Sequence, residues 1–226
     1  MTMRKWIGTA ITVCVVTMAA STVRAQAPED FTDSYRRFKP IPEDKLTPAE
    51  KAYIPTRTGM PPGVYPTDPF EVIMLRTPGV PEILSAWLKQ FRDNATLSPK
   101  AQELSILFSG RKWNSQAIWW GHQKEARQAG ASSAVMDSIE QGKRLPGMAP
   151  DELALYNYLD ELYTKHAVSD ATFKKAVEQF GEPGVLNIIG ICGFYDYLSM
   201  FINTSKIYIP EQFKAMAPKY PQATAH

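Results

Sequence analysis

Cysteine and histidine are scarce in this chain of 226 residues, which contains two cysteines and three histidines. One of the cysteines, Cys14, falls within an apolar leader, so Cys192 is the single thiol expected after processing. A single thiol cannot form a disulfide within one subunit. Any mechanism in which a dithiol shuttles electrons within one subunit is therefore excluded.

The chain also lacks an excess of charge of one sign once its leader is set aside. Arg4 and Lys5 precede an apolar run over 6–20, and Val23-Arg24-Ala25 has the small-x-small form that signal peptidase prefers. Residues 1–25 are therefore predicted to be a signal peptide, with a periplasmic or secreted product that does not associate with the membrane. Removing the three basic leader residues leaves 22 basic against 23 acidic residues, which argues against a nucleic-acid partner.

Residues 26–70 are rich in proline and are predicted to form an irregular N-terminal arm. One short helix is expected at Thr47–Tyr53, where Thr47 is the N-cap and Glu50 completes a capping box. A disordered linker is the alternative to a packed arm. Aromatic residues throughout the segment favour packing, because disordered segments are poor in them.

From Pro78 onward, capping residues and a spacing of apolar residues near 3.6 predict helices only, six or seven in number. The fold class is therefore all-α, with a helical domain at 71–210 and a C-terminal tail at 211–226. The run 184–202 is apolar enough to raise the question of a membrane span. Its polar residues and glycines favour a buried central helix or a subunit interface instead.

Two of these helices, Ser98–Lys112 and Ser115–Ala129, are separated by so few residues that an antiparallel hairpin is expected. Glu103 lies 10 residues before the turn at Trp113 and His122 lies nine after it, so both should reach the same height. Glu103 sits in an apolar stretch, and a buried carboxylate needs a partner. The pair is either a general acid/base unit or a buried contact that ties two helices together.

A longer pattern between about 69 and 206 includes the Glu103–His122 pair and is made up of Ser98, Pro99, Glu103, Trp113, Trp119, His122, Ala126 and Gly130, with the stretch GFYDYLSMFIN that ends at Asn203. With this pattern the segment resembles the carboxymuconolactone decarboxylase-like family, which also contains the alkylhydroperoxidase D-like proteins. The resemblance implies an all-α domain that assembles as a trimer or hexamer and binds a small-molecule substrate between helices. It also implies that His122 carries the proton, oriented by Glu103, and that neither cofactor nor metal takes part.

Three positions depart from the family pattern. The cysteine pair of the peroxidase branch would fall at Ser115 and Ile118, so a peroxiredoxin-type alkylhydroperoxidase is disfavoured. Gln102 stands where many decarboxylase-like members have arginine, and Ile118 where many have glutamate. The expected function is a cofactor-free acid/base enzyme of the lyase type that decarboxylates, opens or isomerises a small cyclic or aromatic-derived compound. A non-catalytic relative that binds small molecules or acts in assembly is the alternative.

Four side chains are predicted to contact the substrate beside the Glu103–His122 pair. Trp119 precedes the histidine by three residues, so it could wall a pocket for a flat ligand, with core packing as the alternative. The other three candidates are Ser115, Ile118 and Tyr195.

Overall fold

A computed structural model describes residues 37–38, 41–52, 73–77, 79–93 and 95–205. The predicted signal peptide, the tail at 211–226 and much of the arm lie outside these residues. Every regular element within them is helical, which confirms the all-α class. The elements are a short 3₁₀ helix Glu43–Lys45, α1 Val80–Leu88, a π-helical turn Lys89–Asp93, α2 Pro99–Lys112, α3 Gln116–Gln128, α4 Ser133–Gln141, α5 Pro150–Lys165 and α6 Asp170–Ser205.

Side-chain caps fix the points at which several helices begin. The Ser98 hydroxyl accepts a hydrogen bond from the Ala101 backbone N–H, and a proline occupies the first turn of α2. In the arm, the Thr47 backbone N–H donates to Glu50 Oε2 at 2.7 Å, and the Glu50 N–H donates back to Thr47 Oγ1 at 3.3 Å. The predicted capping box is therefore confirmed, and residues 48–52 are helical.

The long helix α6 breaks at Gly181, whose φ of 67° and ψ of 166° are accessible only to glycine. Residues before and after this point form two helical segments, as the sequence predicted from Gly181 and the following Glu182-Pro183. With that break counted, α1 to α6 form seven α-helical segments between Val80 and Ser205.

Helix α2 lies at the centre of the domain, where it packs against α3, α5 and α6. The core includes the fully buried Leu107, Leu159 and Ile188, one from each of α2, α5 and α6. Among the described helices, α6 is long and apolar enough to cross a membrane by length and composition alone. Its contacts with α2 and α5 agree with the predicted central helix.

A glycine on α6 allows the π-helical turn to pack closely. A Cβ on Gly190 would collide with the Phe91 ring, so only glycine leaves room for that ring. Beside it, Trp87 Nε1 donates a hydrogen bond to the Gly190 carbonyl oxygen at 2.9 Å. These two contacts fix the turn 89–93 on α6 and thereby set the position of Arg92, which follows Phe91 in the chain.

Candidate functional site

The predicted acid–imidazole pair is formed between α2 and α3. Glu103 Oε2 and His122 Nδ1 lie 2.8 Å apart, although 19 positions separate the residues in the chain. Glu103 is buried, with 5% of its surface exposed, whereas 19% of the His122 side chain is exposed. The equal heights expected from the hairpin thus produce a direct contact, with the carboxylate inside and the imidazole nearer the surface.

A third member of the site, Arg92, was not predicted from the sequence. Its Nη2 lies 2.5 Å from Glu103 Oε1, the oxygen that His122 does not use. The Arg92 side chain comes from the π-helical turn and is 32% exposed. Each oxygen of one buried carboxylate therefore has its own nitrogen partner, which satisfies the charge that burial would otherwise penalise.

Tyr195 on α6 completes the network. Arg92 Nη1 donates a hydrogen bond to Tyr195 Oη at 2.8 Å. The Tyr195 ring stands at 87° to the His122 ring, with 5.0 Å between the ring centroids. Burial raises the pKa of Tyr195 to about 12, a rise that the Arg92 charge opposes and the Glu103 charge reinforces. Tyr195 is therefore a neutral phenol at physiological pH.

These contacts determine which nitrogen of His122 is available for chemistry. A carboxylate that is paired with arginine only accepts hydrogen bonds, so the proton of the neutral imidazole lies on Nδ1. The lone pair of the neutral ring is then on Nε2, where it can accept a proton from a ligand. The arrangement supplies an oriented base on a partly exposed side chain, backed by a buried acid.

All four side chains predicted to contact the substrate are buried. Trp119 and Ile118 belong to the main hydrophobic core, with 2% and 5% of their surfaces exposed. Ser115 is 1% exposed, and its hydroxyl has no hydrogen-bond partner among the described residues. The Tyr195 ring packs edge-on against the His122 ring. Substrate contact by all four residues stays a prediction.

Other polar groups near the site have structural partners. Asp196, next to Tyr195, accepts hydrogen bonds from Ser109 Oγ at 2.5 Å and from Tyr163 Oη at 2.8 Å. Asn203 Nδ2 donates to the Trp113 carbonyl oxygen at 2.8 Å. Both residues therefore tie α6 to neighbouring helices.

Cys192 is a buried thiol with 4% of its surface exposed, and burial raises its pKa. Its Sγ lies 3.7 Å from the Ser105 carbonyl oxygen, to which it donates. Both features oppose formation of the thiolate, which is the reactive form. This environment is that of an unreactive thiol.

Two surface cavities are lined entirely by described residues, and His122 lines neither. One, of about 200 Å³, is lined in part by Arg111. Arg111 Nε donates to the Glu140 carbonyl oxygen at 2.8 Å, so it caps the end of α4. The other, of about 460 Å³, is an open apolar groove between α6, Phe38 and residues 73–77. Within the described ranges no group of His, Cys, Asp and Glu side chains could hold a metal ion.

Comparison with solved structures identifies one fold neighbour. It is a crystal structure of a protein of unknown function from Agrobacterium tumefaciens, whose description includes the words "Antioxidant Defence Protein AhpD". The TM-score is 0.51 at 14% sequence identity, and the match covers 61% of this chain and 94% of the neighbour. The chain has an AhpD-like helical fold. At this identity the likeness shows the fold alone.

No family model matches the sequence, and no curated protein matches it. The AhpD-like fold agrees with the superfamily implied by the resemblance to the carboxymuconolactone decarboxylase-like family. Membership of that narrower family stays a prediction.

Proposed function

We propose that this AhpD-like protein is a cofactor-free acid/base enzyme that acts on a small cyclic or aromatic-derived compound. His122 Nε2 accepts a proton from the substrate and later returns one, while Glu103 holds the ring in the Nδ1–H tautomer. The 2.8 Å contact between Glu103 and His122 carries the proposal. Decarboxylation, lactone opening and isomerisation all use such a base.

The burial difference between the two partners supports an enzymatic role over a purely structural one. A contact that only ties two helices together would be served equally well with both side chains fully buried. Here the acid is buried and the imidazole is partly exposed, so a proton arriving from a ligand can reach the ring. The carboxylate behind it is shielded from water and keeps one orientation.

Peroxide reduction through cysteine is a weaker explanation of the same fold. The positions of the peroxidase cysteine pair hold Ser115 and Ile118, and both are buried. The remaining thiol, Cys192, is buried with a raised pKa. A hydroxyl with the ordinary acidity of serine cannot take the part of a thiolate in redox chemistry.

The decisive experiment compares His122→Ala with the wild type. A panel of γ-lactones, enol-lactones and cyclic keto acids is first screened by thermal shift, and turnover of each stabilising compound is then followed by mass change. We expect His122→Ala to keep its helical circular dichroism and to lose turnover by at least 100-fold, because general acid/base groups contribute about 10²–10⁴ in rate.

His166→Asn is the matched control, since His166 is an exposed residue at the end of α5. Its φ of 56° suits asparagine, so this variant tests the loss of a histidine elsewhere without added strain. Turnover in His122→Ala equal to that of the wild type would remove the proposal. Ligand binding that survives in His122→Ala, with no turnover in any variant, would favour the non-catalytic binding protein.

The proposal includes export and self-assembly, which rest on the leader sequence and on the resemblance. Side chains on the outer face of α6 are compatible with an assembly surface, since Leu186, Ile189 and Met200 are 63%, 46% and 43% exposed. Light scattering on the purified protein measures the number of subunits, and N-terminal sequencing of the secreted form locates the cleavage point.

A further inference from the structure

The hydroxyl group of Tyr195 has one hydrogen bond of known direction. Arginine has no acceptor, so Arg92 must donate in the 2.8 Å contact and Tyr195 Oη must accept. The phenolic proton is therefore not used in that bond. In the part of the chain that the structure describes, no acceptor is hydrogen-bonded to the Tyr195 O–H. Buried donors without an acceptor are rare, and Tyr195 is only 5% exposed.

This donor lies beside the proposed base. The Tyr195 ring is perpendicular to the His122 ring at 5.0 Å, and its hydroxyl is held by Arg92. Arg92 and His122 are the more exposed members of the network, at 32% and 19%, and both contact the Tyr195 side chain. A small cyclic ligand seated on His122 is thus within reach of the phenolic O–H.

We infer that Tyr195 is a catalytic hydrogen-bond donor that stabilises an enolate oxygen while His122 removes the neighbouring carbon-bound proton. The inference rests on the proposed function and names its substrate class, a cyclic ester or ketone with a hydrogen on the carbon next to the carbonyl. The positive charge of Arg92 polarises the phenol toward donation. The pair thus combines a base with an electrophile aimed at the developing charge.

The chemical step balances without any added oxidant or reductant. His122 Nε2 forms a bond to the proton as the carbon–hydrogen bond breaks, and the released electron pair moves into the enolate. The carbonyl oxygen gains the negative charge and accepts the hydrogen bond from Tyr195. Where the substrate has a β,γ double bond, the enolate is a dienolate, and return of the proton from Nε2 to the γ carbon moves the double bond, gives an isomerised product and restores the neutral imidazole.

The protonation state of Tyr195 suits this role. Burial raises its pKa to about 12, so the phenol keeps its proton across the physiological range. An ionised tyrosine in this position would repel an enolate, whereas the neutral form can donate to it. The donor is therefore present throughout the physiological pH range.

Binding of 4-nitrophenol tests the donor directly, because its phenolate mimics an enolate and its visible absorbance reports the ionised form. We expect the wild type to bind the phenolate, and Tyr195→Phe to weaken that binding at least tenfold. His122→Ala should retain binding, because the donor is intact. Tyr158→Phe is the matched control, since Tyr158 is equally buried in α5 and should bind as the wild type does.

Equal phenolate affinity in Tyr195→Phe and the wild type, or no binding by the wild type, would overturn the inference. Turnover that depends on His122 would in that case still support the proposed function. Binding that depends on Tyr195, without any His122-dependent turnover, would instead support the donor and remove the acid/base proposal.

A second measurement serves if Tyr195→Phe does not fold. The affinity of the wild type for the ionised forms of substituted phenols should rise with their basicity, because a more basic oxygen accepts a stronger hydrogen bond. An affinity that does not change across the series would overturn the inference.

Discussion

The Arg92–Glu103 ion pair provides a quantitative test of how the site is built. In Arg92→Met, the Glu103 carboxylate keeps only its contact with His122 and loses a charge-assisted bond on Oε1. Such a bond contributes about 1.5–3 kcal/mol, and the lost bond to Tyr195 adds about 1 kcal/mol. We therefore expect Arg92→Met to lower the free energy of unfolding by about 3 kcal/mol.

Glu103→Gln, the substitution of the other partner, should lower the free energy of unfolding by less. In Glu103→Gln the amide oxygen still accepts a hydrogen bond, and Arg92 is 32% exposed, so water can hydrate part of its charge. A loss of about 1.5–2 kcal/mol follows from replacing a charge-assisted bond with a neutral one. In the double variant the buried carboxylate is absent, so its penalty disappears. The double variant should be about 1.5 kcal/mol more stable than the sum of the two single losses implies.

Urea unfolding at neutral pH, followed by circular dichroism and by tryptophan fluorescence, measures the four free energies. Lys175→Ala is the matched control, because its ion pair with Glu178 is exposed and its removal should leave the free energy of unfolding unchanged within experimental error. Losses from Arg92→Met and Glu103→Gln that add within about 0.5 kcal/mol would refute the coupled network.

Three further variants test the surroundings of the site. Gly190→Ala should lower the free energy of unfolding, measured with urea, by about 1–3 kcal/mol, because its Cβ collides with the Phe91 ring. An unchanged free energy of unfolding would show that the turn 89–93 can shift freely. The free energy of unfolding of Tyr195→Phe should rise by about 3 kcal/mol relative to that of the wild type between pH 10 and pH 12. The wild type loses stability in this range because Tyr195 ionises at a lower pH in the unfolded chain than in the folded protein. A difference in stability between the two proteins that stays constant with pH would contradict the raised pKa. Glu152→Ala should lower the free energy of unfolding by about 3 kcal/mol, because the carboxylate accepts hydrogen bonds from Ser132 N, Ser132 Oγ and Ala149 N. An unchanged Tm would show that these bonds do not stabilise the starts of α4 and α5.

The Glu103–His122 pair was predictable because it depends only on regular helix geometry. Two helices joined by a very short turn run antiparallel, and a constant rise per residue brings equal distances from the turn to the same height. The apolar neighbours of Glu103 showed that its side chain points inward. Helix period and hydrophobic pattern were therefore enough to place two residues 19 positions apart within hydrogen-bond distance.

Arg92 could not be found in this way, because it lies in a π-helical turn. Residues in such a turn do not follow the 3.6-residue period, so their facing cannot be read from apolar spacing. The direction of Arg92 is set by the contact of Phe91 with Gly190, a residue about a hundred positions later in the chain. A buried carboxylate does require compensation, and that rule alone could have prompted a search for a cation beyond His122.

The hydrogen bonds of Glu152, a residue outside the candidate site, could also be predicted only in part from the sequence. The sequence places it in the first turn of α5 after Ala149, whose side chain cannot cap a helix. The structure adds two bonds from Ser132, which caps α4, so one buried carboxylate joins two helix starts. Local capping rules identify only the bond from the Ala149 N–H to Glu152. The two bonds from Ser132 depend on how α4 and α5 pack, which those rules do not describe.

One physical consequence follows from the shared carboxylate in the candidate site. Arg92 is permanently charged, so Glu103 is already paired before His122 gains a proton. The carboxylate therefore acts first as an orienting group that fixes the Nδ1–H tautomer, and its charge is divided between two cations when His122 is protonated. In the proposed reaction, the charge that develops on a substrate oxygen is stabilised by a different group, the Tyr195 phenol that Arg92 also holds. A single guanidinium thus links the orientation of the base to the position of the electrophile, which makes Arg92 the residue on which both halves of the proposed chemistry depend.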